Sequence, residues 1–64
     1  MKKIIVSYVS GFEFETIVEK EAEEIRKEYG NEMSLEETIE YYEAEYGSLT
    51  EEGRAAVEEI WNNI

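Results

Sequence analysis

Two glycines cut the Glu-rich two-thirds of this chain into three helix-length pieces. Gly30 follows Glu28-Tyr29, and Gly47 follows Glu45-Tyr46. A glycine after the last periodic residue is a helix stop, because it adopts the left-handed backbone that closes the final turn. Each stop is soon followed by a start. Ser34-Leu35-Glu36-Glu37 is a capping box, and Ser48-Leu49-Thr50-Glu51 opens a third helix. Apolar stripes at helical spacing fill the pieces: Val18, Ala22, Ile25 and Tyr29; Leu35, Ile39, Tyr42 and Tyr46; Val57, Ile60, Trp61 and Ile64. The echo between the two stop–start junctions is too short for a solenoid repeat, and local capping chemistry explains it.

That segment reads as strand. Ile4, Ile5, Val6, Tyr8 and Val9 are β-branched or aromatic, and Phe12-Glu13-Phe14-Glu15-Thr16 alternates with period two. Ser10-Gly11 is a turn signal. A two-residue loop pairs Val9 with Phe12, Ser7 with Phe14 and Ile5 with Thr16, all on one face. This gives an α+β fold: a two-stranded antiparallel hairpin over 3–9 and 12–17, then three short α-helices, the first over 18–29 from a capping box at Thr16-Ile17-Val18-Glu19. In the alternative, Ser10-Gly11-Phe12-Glu13 caps the first helix, and a single strand pairs with another chain.

At 64 residues, positions 1–64 are a single small acidic domain. All 17 acidic residues are Glu, against 6 basic ones, for a net charge of -11. Asp, Gln, His, Pro and Cys are absent. These gaps remove disulfide frameworks, thiolate metal sites and His-dependent acid–base chemistry. No EF-hand loop, phosphate loop or nucleophile with a base partner is present, so neither a cofactor, a metal nor an enzyme is expected. Eight aromatic residues argue against disorder. No leader-like or membrane-spanning apolar run is present, and a cysteine-free domain fits a reducing cytoplasm.

The charge is concentrated. Residues 31–47 carry six Glu and no base. Glu36, Glu40 and Glu43 share one helix face; Glu37 and Glu45 flank it, and Glu32 lies just before. Like charges at that spacing destabilise a helix by a few tenths of a kcal/mol per pair, and nothing in this segment offsets them. The row is a candidate surface for an electropositive partner, with carboxylates spaced much as phosphates are along a DNA strand. A solvated helix face is the competing reading. Tyr41 stands among these acids as a candidate contact, whereas Tyr29, Tyr42, Tyr46 and Trp61 are assigned to the core. Ile4, Ile5, Val6 and Tyr8 are candidate assembly residues, since a hairpin covered on one side exposes one set of strand residues.

In size and charge the chain resembles the small acidic inhibitors of phages and mobile elements. These include anti-CRISPR and anti-restriction proteins that occupy nucleic-acid sites, and acidic antitoxins. The resemblance covers the whole chain but carries no motif and no residue roles. It implies a non-enzymatic inhibitor that binds the basic surface of a nucleic-acid-binding protein or nuclease, without binding nucleic acid or membrane itself. A self-associating adaptor, for example a homodimer, is the alternative. A designed domain is a third reading, against which Gly53 and the Tyr-rich second helix both argue.

Overall fold

The computed structural model describes residues 1–64 and shows an α+β fold. The elements are β1 (Lys3–Ser7), β2 (Glu13–Ile17), α1 (Val18–Tyr29), α2 (Leu35–Tyr46) and α3 (Glu51–Asn62). The strands form an antiparallel hairpin, and β2 runs into α1 without a loop. The single-strand alternative does not form.

The hairpin register differs by one residue from the expected one. Val6 pairs with Phe14 and Ile4 with Thr16. The connection is a three-residue loop, Val9-Ser10-Gly11: Tyr8 N–H donates to Phe12 O, Gly11 N–H donates to Tyr8 O, and Gly11 has φ 100°. A two-residue loop would have set Ser7 and Val9 beside the phenylalanines. The longer loop instead aligns Ile4, Val6 and Tyr8 with Thr16, Phe14 and Phe12, because a one-residue slip exchanges the faces. Val6 is fully buried and Tyr8 nearly so, while Ile5 is 50% and Val9 70% exposed. Val6 and Tyr8 are therefore not assembly residues; they belong to this chain's own core. Ile4 is half-buried against it, and Ile5 alone of the four stays on the open face.

A short third segment lies on the free edge of β1. Val9 N–H donates to Ser48 O, Thr50 N–H donates to Ser7 O, and Tyr8 and Leu49 form an antiparallel bridge. Part of the edge is thereby covered. Thr50 then caps α3, its hydroxyl accepting from Gly53 N–H and lying 2.6 Å from the Ser7 hydroxyl.

Local capping chemistry sets the helices. α2 has the expected box, with Ser34 N–H donating to Glu37 and Glu37 N–H donating back to Ser34 Oγ. Gly30 and Gly47 close α1 and α2 with φ 76° and 85°. The box expected at Thr16 does not form. Ile17 is the N-cap, without a side-chain bond, because Val18 N–H continues the hairpin ladder to Lys2 O. The Thr16 hydroxyl donates instead to Glu21.

α3 is the hub: it packs on β1, and α1 and α2 both pack on α3. α1 contributes Val18, Ala22 and Ile25 to the core, and α3 contributes Ala56, Val57 and Ile60. α2 buries only Thr38 and Tyr42. Thr38 satisfies its hydroxyl on Ser34 O. Trp61 is half-buried, its indole N–H donating to Met33 O in the α1–α2 connection. Tyr29 and Tyr46, expected inside, are largely exposed, because α2 leans on α3 and leaves a gap toward α1 and β2.

Candidate functional site

The gap is a groove of about 880 Å³ bounded by α2 on one side and by the hairpin and α1 on the other. Two aromatic clusters line it. In one, Phe12 and Tyr46 stack with centroids 4.1 Å apart, and Tyr8 and Phe14 complete the group. In the other, Tyr41 meets Tyr29 edge-on at 5.7 Å and Tyr42 at 5.1 Å. Such packing contributes about 0.5–1.5 kcal/mol per pair beyond simple burial. Two hydroxyls tie the clusters together. Tyr8 Oη donates to Tyr42 O at 2.8 Å, and Tyr42 Oη donates to Glu21. Glu21, which also accepts from Thr16, thus links α1, α2 and the hairpin.

The surroundings of these hydroxyls keep them protonated. Burial, then the neighbouring Tyr46 and Glu45, push Tyr8 up to about 12. Burial and the bond to Glu21 push Tyr42 well above the ordinary phenol range. Burial, then Glu28, move Tyr41 the same way. Each phenolate would form among carboxylates, so both desolvation and like charge oppose it.

The expected acidic row divides between uses. Glu36 and Glu40 are exposed, and Glu40 stands on the groove rim. Glu43 turns inward, and its Oε2 accepts from Leu49 N–H at 2.9 Å, bracing the α2–α3 turn. Glu37, Tyr41 and Glu45 line the groove. Glu37 is also engaged at the N-terminus of α2, where the Ser34 N–H and hydroxyl hold its carboxyl below the usual range. Glu32 is exposed in the α1–α2 connection. Nowhere do three or more carboxylates converge in a geometry that would hold a metal ion. No helix is long and apolar enough to cross a membrane.

Sequence reasoning separated the acids from the aromatics and so missed the groove that joins them. Phe12, Phe14, Tyr29, Met33 and Tyr46 all line it. One signal was available: Tyr41 and Tyr42 are adjacent, so they cannot share a helix face, and one of them must sit outside the core.

No protein-family model, no curated protein and no solved structure matches this chain.

Proposed function

We propose that this protein is a non-enzymatic inhibitor that occupies the basic, nucleic-acid-binding surface of a larger protein with the acidic side of α2. One observation carries the reading. α2 bears acids at both ends, with Glu36 and Glu37 in its first turn and no base in its last. Glu45 is exposed in the last turn, where the dipole is negative and an acid costs about 0.3–1 kcal/mol; Glu43 beside it is offset by the Leu49 N–H. Stability alone favours acids in the first turn but a base in the last. The chain's one ion pair, Lys2–Glu59, lies elsewhere, and neither member is in α2. The exposed carboxylates of Glu36, Glu40 and Glu45, which no cation pairs, are offset by a positively charged partner.

The test is capture from a host lysate at low salt, release at high salt, and competition. The captured protein is expected to bind nucleic acid and to lose it as this chain is added. Glu36→Lys with Glu40→Lys should weaken capture at least about tenfold, a loss of ~1.4 kcal/mol. Both sites are exposed and neither braces the fold. Undiminished capture by the double variant would overturn the reading, as would direct binding of duplex DNA by the chain itself.

Exposed Ile5 and Val9 support a second reading, self-association through the open hairpin face. A concentration-dependent dimer abolished by Ile5→Lys would favour it.

A further inference from the structure

We propose that the aromatic groove beside α2 takes an amphipathic, Lys- or Arg-bearing segment of the partner, with apolar side chains on the rings and basic ones on the carboxylate rim. The proposal rests on the partner being basic, and it names the element that docks and where. Exposure points to the groove first. Seven large hydrophobic residues are exposed, and four of them, Phe12, Tyr29, Tyr41 and Tyr46, gather here. Concentrated apolar surface rimmed by charge marks a contact site, unlike single exposed apolar residues.

Charge complementarity selects the occupant. Glu37, Glu40 and Glu45 of α2 and Glu21 of α1 stand among the lining residues, and no Lys or Arg does. Glu24 and Glu28 add negative potential at Tyr41. An acidic or nucleic-acid occupant is repelled by every carboxylate on the rim. A cation gains twice, from the carboxylates and from the ring faces. Both aromatic clusters line the same open groove, so it fits a segment long enough to touch both. Tyr41 and Tyr46, one from each cluster, are separated by a rise of about 7.5 Å along α2, which apolar anchors one to two helical turns apart can match. The rings are also pre-positioned: Phe12 is stacked on Tyr46 and Tyr41 is fixed between Tyr29 and Tyr42, so little side-chain freedom is lost on binding.

The experiment is calorimetric titration of the full chain with three synthetic peptides of equal length. One is an amphipathic Leu/Lys helix, one a Gly/Lys chain of the same charge, and one an amphipathic Leu/Gln helix. The Leu/Lys peptide is expected to bind at least about tenfold tighter than either other. Tyr41→Ala with Tyr46→Ala should erase that preference and leave the weak Gly/Lys binding unchanged. Should this variant lose its helical circular dichroism, Glu40→Lys with Glu45→Lys alters only exposed rim positions. It should weaken the Leu/Lys peptide more than tenfold.

Equal binding of Leu/Lys and Gly/Lys peptides would overturn the groove proposal while sparing the charge reading. Failure of both basic peptides to bind would overturn the two together. Equal binding of the Leu/Gln peptide would mean that the rim selects nothing. A dimer lost on Tyr46→Ala would mean that a second copy fills the groove. Either result would overturn the proposal.

Discussion

The carbonyl of Ser7 lies where a side chain on Gly53 would have to go. Glycine inside the first turns of α3 therefore lets the helix rest on the β1 backbone, at the point where Thr50 also bonds Ser7 O. In an exposed helix, Gly→Ala stabilises by about 1 kcal/mol. Here Gly53→Ala is expected to destabilise by roughly 1–3 kcal/mol, since backbone rather than a flexible side chain must move. The urea midpoint measures it, and an unchanged or raised midpoint would refute the close approach.

Ile5 and Val6 are adjacent but opposite in fate. Val6→Lys places a charge in a fully buried site and should unfold the domain, while Ile5→Lys should leave a folded chain. Circular dichroism on the two variants reads this. Unfolding of both would mean that the outer hairpin face is covered as well.

Added salt should stabilise this protein. Its 17 carboxylates repel one another, and a single ion pair stands to be screened in return. Between low ionic strength and about 0.5 M the Debye length falls severalfold, which relieves repulsion over most of the surface. The thermal midpoint should rise by several degrees. A falling midpoint would mean that attractive pairs dominate.

Stability should fall at alkaline pH. Tyr8 and Tyr42 are held protonated in the fold, Tyr8 up to about 12, against an ordinary value of 10.0. Above the ordinary value the unfolded chain releases protons that the folded chain retains. The stabilisation is complete below pH 10 and is lost as pH rises toward 12. Tyrosinate absorbance should show these residues ionising together with unfolding. Tyr8→Phe forfeits the bond to Tyr42 O, about 1 kcal/mol at neutral pH, and should lessen the alkaline sensitivity.

What could be read from the sequence was whatever is satisfied within a few residues. Ser34 with Glu37, Gly30 and Gly47 each complete a local bond pattern, so the helix boundaries followed from them. The register at Val6 and Phe14 did not, because a two-residue and a three-residue loop fit the same Ser10-Gly11 signal. Tyr29 and Tyr46 keep perfect helical spacing yet stay exposed. Periodicity reports that a face exists, not what covers it, and α2's preference for α3 over α1 is a tertiary fact. Glu43 likewise looked like one more member of a charged row until Leu49 came within reach of it.

The strap formed by Ser48, Leu49 and Thr50 has a consequence for the order in which the molecule is finished. Ser7 meets Thr50 across 43 positions of chain. A nascent chain emerging from the ribosome displays β1 long before its covering strap and α3 exist. Until then β1 lacks the strap and the helix that pack on it, and its edge is open to other strands. Folding is thus held back until the last third of the chain is free, and it should be slower than the short helices alone would suggest. During that interval the dense negative charge acts on behalf of the unfinished chain, holding neighbouring copies apart while the edge is bare.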